Sequence, residues 1–459
     1  MMSRCCGAEA FWKWGRRPAC PTSKMPVLHG SVLIVVLWAC LGLVSITLLF
    51  GHSMLMTYRG SDNDLSGRQA DQAIEGAVRY VQTLLLNAET PGQFLDPTTY
   101  ISEAVPVGAA TFWILGRPLE AGEGTAPEPG LIDEASKLNL NTASQAQLES
   151  LPGMIPDLAA AIIEWRTTDS NTSGSGGVNA SAIKHAPFES IDELALVTGA
   201  TREILYGEDA NLNGFRDPNE DDGTRSLPAD NSDGKLDPGI LEYVTVFSRE
   251  PLLESDGTTA RMNVNVTPLP AEFWTMVGEK LTDKSEQEIL QLRIQVGPGP
   301  FRSVLQFYIR SGLSAEEFAL LAGSLTASTA AAPRSGVNVN TASETVLTAV
   351  LGSEKAAALV AARQGRDAQD TDITWLKDAL GGTPEEAAAA TADLTLWSWQ
   401  VTADIAAVGR HGRGYRRAKV VIDHTTATPK IIYRRDLTPL GWALGSAIRQ
   451  DLALKKDVR

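Results

Sequence analysis

Beyond Cys40 the chain contains no cysteine: all four, Cys5, Cys6, Cys20 and Cys40, stand near the N-terminus. The remaining length therefore has no disulfide, no thiol nucleophile and no thiolate metal site. Histidine is nearly as scarce. His29, His52, His185, His411 and His424 are the whole complement, and none lies in a metal or nucleophile motif. Asp192 and Glu193 form no spaced acid/base pair, so neither a catalytic nor a cofactor-binding residue is expected. Bases are thin outside residues 1–30. There Arg4, Lys13, Arg16, Arg17 and Lys24 face the single acid Glu9; the rest of the chain holds 35 bases against 54 acids, a net of −19. Such a surface repels phosphate backbones and anionic headgroups, and no nucleic-acid partner is expected.

Against these absences stands one long uncharged run, residues 31–50 (SVLIVVLWACLGLVSITLLF). At ~1.5 Å per residue, a helix of this length covers the ~30 Å hydrocarbon core of a bilayer. The basic leader stays cytoplasmic by the positive-inside rule, so the bulk of the chain is expected across the membrane. A cleaved signal peptide has a shorter core with a small-residue cleavage site behind it, and none follows here. A signal anchor fits the length. A prepilin-type signal, cut before the apolar run and after a glycine, fits the boundary at Gly30 and Ser31. The stripe Ala70, Ile74, Ala77, Val78, Val81, Leu84 and Leu85 then marks an amphipathic helix over 64–88. It is followed by the strand-like 109–116, the layout of a pilin-like protein.

The chain also repeats itself. KLNLNTASQAQLESLPGM starts at Lys137, GVNVNTASETVLTAVLGS at Gly336, and a degenerate RMNVNVTPLPAEFWTMVGE at Arg261. Each opens on an Asn-x-Asn pair: Asn139/Asn141, Asn338/Asn340, Asn263/Asn265. Thr142 or Thr341 is expected to cap a short helix, ended by Gly153, Gly278 or Gly352. A second helix follows, as in 158–166 and 355–363. Matching tails, APFESIDELALVTG and GPFRSVLQFYIRSG, begin at Ala186 and Gly299. These are helical hairpins, a form that often binds DNA through backbone amides at a glycine turn. Here the turn LPGMIP has one glycine, and Asn139–Arg166 carries Glu149, Asp157 and Glu164 against one base. Charge favours a structural role. Gly/Ser-rich stretches at 170–177 and 121–130 read as loops.

Residues 208–242 are strongly acidic. From Asp209 the sequence DANLNGFRDPNE matches a twelve-residue calcium loop. Asp209, Asn211, Asn213, Asp217 and Glu220 supply side-chain oxygens, Gly214 the turn and Phe215 a carbonyl. Pro218 and the lack of an exiting helix separate it from a helix-loop-helix hand. A partial second frame, Asp230, Asp233 and Asp237, raises the possibility of a second ion. The rival reading is a turn rich in Asp, Asn and Gly.

Taken in order, LIDEASKLNLNTA, LPGM, AAIIEWR, APFESIDELALVTG, DANLNGFRDPNEDDG and VNVNTAS resemble the protein K family of the bacterial type II secretion system, the large minor pseudopilins. The family's usual lack of a glutamate at the fifth mature position matches Val35. The leader is longer than many, and the third Asn-x-Asn copy is additional to the family pattern. The resemblance implies an α+β fold: an N-terminal transmembrane helix leading into a pilin-like α/β domain with a large all-helical insertion of hairpin repeats. It further implies bound calcium, cleavage by prepilin peptidase, an inner-membrane anchor with the bulk in the periplasm, and assembly with pseudopilins I and J at a filament tip. The expected divisions are leader 1–30, membrane helix 31–50, pilin-like helix and first strand 51–135, helical insertion 136–207, acidic calcium loop and strand 208–250, further hairpins 251–390, and C-terminal strands and tail 391–459. In the last of these Trp397–Ile405 alternates as a half-buried strand, with further strands near 418–423 and 429–434, and Lys455–Arg459 is expected to fray. A type IV pilus minor pilin and a membrane-anchored DNA receptor are the alternatives.

Overall fold

The computed structural model describes residues 29–88, 90, 92–118, 126–167, 183–331, 333–366 and 374–457. Most of the leader, the Gly/Ser-rich stretch at 170–177 and the last two residues lie outside that set. Helix α1, His29–Leu86, is the first element among the described residues. No proline stands between Pro26 and Pro91 to break it. Two units are resolved, residues 1–62 and 63–459. In the first, every residue from 32 to 61 is exposed. Among the described residues this is the one helix long and apolar enough to cross a membrane. The chain has a single-pass membrane topology, with its bulk extending beyond that helix.

The second unit is built on a six-stranded antiparallel sheet. Its strands are β1 (Val105–Val107), β2 (Ala110–Leu115), β3 (Ile132–Asp133), β4 (Gln400–Gly409), β5 (Arg413–Asp423) and β6 (Lys430–Asp436). The order is β1-β2-β4-β5-β6. One edge of β4 pairs with β2 along Asp404–Val408 and with β3 at Val401 and Thr402. On one face the apolar stripe of α1, Ala70, Ile74, Ala77, Val78 and Val81, packs on Phe112, Ile114, Val401, Ala403 and Ile405. At the start of that contact the backbones nearly touch. A Cβ on Gly409 would fall 2.0 Å from Ser66 O, and one on Gly414, whose φ is +65°, 2.3 Å from Ser66 and Gly67 backbone atoms. Only glycine fits there. On the other face Trp113, Leu115, Ala406 and Val408 meet Ala443, Leu444 and the helix Gly445–Asp457. That helix continues to Asp457, through much of the expected frayed end.

Everything from Glu134 to Trp399 is inserted between β3 and β4. The insertion contains three versions of one unit, each closed by a two-residue parallel pair: Leu138–Asn139 with Val244–Thr245, Met262–Asn263 with Leu325–Thr326, and Val337–Asn338 with Leu394–Thr395. In each the first Asn accepts, through Oδ1, the N–H of the second, at 2.8, 2.7 and 3.0 Å. This Asx turn directs the chain from strand toward helix. The degenerate third copy therefore has the same frame as the other two.

Several local expectations shift. The helices Gln145–Glu149 and Glu344–Leu351 are capped by Ser144 and Ser343, not by Thr142 and Thr341. The carbonyls of Asn139 and Asn338 take the N–H groups of Thr142, Ala143, Thr341 and Ala342, so a turn fills the residues before the cap. Gly278 lies inside the helix Ala271–Lys280 and does not end it. Gly352 (φ +83°) does end Glu344–Leu351, whereas Gln145–Glu149 already ends at Ser150, three residues before Gly153 (φ +71°). β4 is not half-buried: all ten of its residues are buried. Its polar face is covered by the insertion. Thr402 and Thr245 both donate to Glu134, and Asp133 accepts from Ser398 Oγ (2.6 Å), Thr341 Oγ1 (2.7 Å), Ala135 N (2.8 Å) and Asn338 Nδ2 (2.9 Å).

Both oxygens of Asp133 accept, so Asp133→Asn sets an N–H against existing donors. A loss of about 2–4 kcal/mol is expected, read as a lower urea midpoint. His424 supplies a pH test. Burial pushes it down from 6.5 to about 4. The unfolded chain takes the proton first, so its contribution is present above pH 6.5 and lost as pH falls through 4. At about 1.4 kcal/mol per unit this is about 3 kcal/mol. His424→Gln should lose less stability than the parent between pH 7 and pH 4; equal losses would refute the assignment.

Candidate functional site

The acidic loop sits against the polar face of the sheet, held by two arginines. Arg417 on β5 is fully buried. Its Nε and Nη2 donate to Asp404 at 2.8 and 2.6 Å, a bidentate pair across adjacent strands. Its Nη1 and Nη2 also donate to the carbonyls of Asn211 (2.5 Å) and Leu212 (2.6 Å). Arg117, just after β2, donates to the same Leu212 carbonyl at 2.6 Å and pairs with Glu242 at 3.2 Å. Asp404 is held below the usual carboxylate range: burial opposes this, but Arg417 and Arg117 prevail. The loop's main chain thus lies on a pair of guanidinium groups.

Its side chains are turned inward and bond mostly to the loop's own backbone and to each other. Asp209 accepts from Asn213 N (3.0 Å) and Gly214 N (2.9 Å). Glu220 accepts from Ala210 N (3.0 Å) and Asp217 N (2.9 Å). Asn211 and Asn213 both point their Nδ2 donors at Asp217, at 2.7 and 2.9 Å. Asn211 Oδ1 is buried without a hydrogen-bond partner. Phe215 is buried, its ring 3.6 Å from where a Cβ on Gly445 would lie. Burial is the first cause raising Asp209 to about 6 and Glu220 to about 8, and it also raises Asp217. In the second frame Asp230 accepts from Asp222, Gly223 and Ser232, Asp233 from Lys235 N, and Asp237 from Asn231 Nδ2.

These contacts overturn the calcium expectation. Among the described residues no group of three or more His, Cys, Asp or Glu side chains is placed to hold a metal ion. Asp209, Asn211, Asn213, Phe215, Asp217 and Glu220 do come together, as the spacing suggests. They close on backbone amides and on each other, with donors where a cation needs acceptors. Asp230, Asp233 and Asp237 serve local turns in the same way. The positive charge beside the loop comes from Arg117 and Arg417, residues remote in sequence. The one acid in the alternating strand, Asp404, with Arg416 and Arg417 together in the next strand, was the available signal for them.

The first hairpin is formed by Gln145–Glu149 and Pro156–Arg166. Leu148, Leu158, Ile162 and Trp165 fill its core, and Trp165 stacks on Phe188 with centroids 6.1 Å apart. Arg166 ends the second helix and donates to the carbonyls of Leu140 and Ala143. Arg363 makes the same clip in the last repeat, to Val339 (3.1 Å) and Ala342. The helix-hairpin-helix motif family matches residues 133–171. The chain contains a helix-hairpin-helix motif. Its turn, Pro152 and Gly153, borders a cleft of about 800 Å³ shared with Arg202, Glu203, Glu208 and Asp237. No curated protein matches the chain. Among solved structures, similarity is found to a chain in the crystal structure of the GspK–GspI–GspJ complex of the type 2 secretion system of enterotoxigenic Escherichia coli. The identity is 11%, the TM-score 0.36, and the match covers 85% of this chain and 99% of that one. A likeness that distant carries no argument here. Gly30 and Ser31, the other predicted site, are the second and third residues of α1.

Removing one partner of the buried pair is the sharpest test of the loop's anchor. Arg417→Met should cost about 3–5 kcal/mol, because Asp404 is left buried and unpaired. The double variant with Asp404→Leu should recover much of that stability. In both, amide exchange across 209–217 should rise, because the Asn211 carbonyl loses its guanidinium donor and the Leu212 carbonyl keeps only that of Arg117. Unchanged exchange in Arg417→Met would show that the loop does not depend on the pair.

Proposed function

We propose that the chain is the large minor pseudopilin of a type II protein secretion system, a scaffold subunit anchored in the inner membrane with its bulk in the periplasm. The observation that carries this reading is the course of α1. Its exposed apolar part is followed by an amphipathic part packed on an antiparallel sheet, and the remaining mass is inserted between two adjacent strands, β3 and β4. That arrangement supports a pilin-like domain carrying a helical insertion. The motif series and the Gly30-Ser31 boundary support the secretion family, and the domain limits given above belong to this reading.

In this reading prepilin peptidase cuts between Gly30 and Ser31, and the mature chain assembles with pseudopilins I and J. Val35 then occupies the fifth mature position. A glutamate there neutralises a neighbour's amino terminus, and a buried uncompensated charge costs several kcal/mol. Val35 offers no such neutralisation to a subunit above it, which fits a tip position and a part in starting assembly. The hairpin match favours one second reading, a membrane-anchored DNA receptor. The acids beside Gly153 and the net charge of −19 beyond the leader oppose it.

Mature protein should begin at Ser31, and Gly30→Asp should leave the leader attached. An N-terminus at Met1 in the parent would end the processing claim. Full-length protein in detergent should capture pseudopilins I and J and should leave duplex DNA unshifted. Capture of neither pseudopilin would end the tip claim, and DNA binding at physiological salt would favour the receptor.

A further inference from the structure

A second polar centre, separate from the acidic loop's side chains, surrounds Lys137. This residue follows the short helical turn Glu134–Ser136 and is only 6% exposed. Among the described residues, nothing accepts a hydrogen bond from its Nζ and no carboxylate lies within ion-pair distance. Lys419 on β5 is in the same position. Burial, and then repulsion from Lys137, push Lys419 down to about 8, so the two ammonium groups feel each other. The neighbouring carboxylates are already engaged. Glu242 is paired to Arg117, both oxygens of Glu134 accept threonine hydroxyls, and Asp133 accepts four donors.

Lys137 lines a cavity of about 200 Å³ together with Arg117, Ser136, Thr341, Ser343 and Glu128. At about 30 Å³ per water, the space takes a carboxylate group and several waters. The Lys137 ammonium, the Arg117 guanidinium and the Ser343 hydroxyl have donors suited to an anion, whereas the hydroxyls of Ser136 and Thr341 already donate to Asp133. Glu128 is the one carboxylate there without a described hydrogen bond; it is exposed, and burial of part of its side chain raises its pKa.

We propose that the cavity bordered by Lys137, Arg117 and Ser136 is a carboxylate-binding site, in which the anion is held by the Lys137 ammonium, whose charge acts on Glu242 at a distance but which donates to no described group. The source of that carboxylate is either a free small acid or an acidic group on another chain. The proposal is independent of the pseudopilin reading.

The test is competitive acylation of the full-length chain in detergent with acetic anhydride, read lysine by lysine by mass spectrometry. Sodium acetate and the peptide Gly-Gly-Asp are each compared with sodium chloride at equal ionic strength, at roughly 50 mM, above the millimolar dissociation constant expected of one such contact. Labelling of Lys137 and Lys419 should slow at least about threefold while exposed Lys430 is unchanged. Protection by acetate identifies a free acid as sufficient; protection by the peptide alone identifies a chain-borne carboxylate. Lys137→Met should abolish the protection of Lys419, and Lys137→Arg should retain it. If Lys137→Met fails to fold, Lys419→Met keeps the test, since Lys137 should remain protected. Protection no greater than with chloride in both arms, or protection of Lys419 that persists in folded Lys137→Met, overturns the proposal.

Discussion

The insertion leaves the sheet after β3 and returns at β4, and these two strands pair with each other. Its two ends are therefore fixed side by side, and its mass must rest on one face of a strand buried throughout. A face that also receives loop backbone cannot be all apolar, because the arriving carbonyls and N–H groups need partners. The alternation of β4 answers that need. Val401, Ala403, Ile405 and Ala407 meet α1, while Gln400 and Thr402 meet the insertion and Asp404 meets Arg417. Every polar residue on that second face has a named partner. Asp404 is the costliest of them and is matched by the fork of Arg417, which extends the contact to the acidic loop.

This explains what was legible and what was not. The period of two in Trp397–Ile405 marks a strand in sequence, and the stripe from Ala70 to Leu85 marks the helix packed on it. Sequence assigned the polar side of the strand to water because alternation alone cannot distinguish solvent from a buried hydrogen-bond network. The Asn-x-Asn repeats were visible because both asparagines carry a turn. Of their return strands, Val244–Thr245 falls within 208–250, where a strand was expected, while Leu325–Thr326 and Leu394–Thr395 were missed. The signal existed: in each, the Thr hydroxyl accepts the N–H two residues on, from Phe247, Ser328 and Trp397. A two-residue strand has no period to detect, so only the recurring apolar-Thr pair could have shown it.

The acidic loop shows the opposite failure. Its spacing was read correctly as a set of oxygens that converge, and they do. Spacing cannot say which atoms face the centre. An Asn offers an oxygen or an N–H₂, and here Asn211 and Asn213 turn their donors on Asp217. Nor can local spacing reveal a counter-charge that comes from β5 and from the end of β2, remote in sequence from Leu212. The loop's acidity needed a cation, and two guanidinium groups meet that need through the loop carbonyls.

The hairpin motif follows the same logic. A fold carries function only through the groups it presents. In DNA-binding hairpins the amides at the glycine turn are presented to phosphate. Here the turn at Gly153 opens on a cleft bordered by Glu203, Glu208 and Asp237, whose charges repel phosphate. Of the bases near the motif, Arg202 on the same cleft lies over the Tyr206 ring, and Arg166, like its counterpart Arg363, closes its own unit by binding carbonyls of the Asn-x-Asn turn. A clip that recurs in two repeats, at the same place and to the same pair of carbonyls, is the behaviour of a framework part. The motif therefore serves this chain as a brick, repeated with variation between two paired strands, and its specific chemistry lies in the polar face on which the bricks are set.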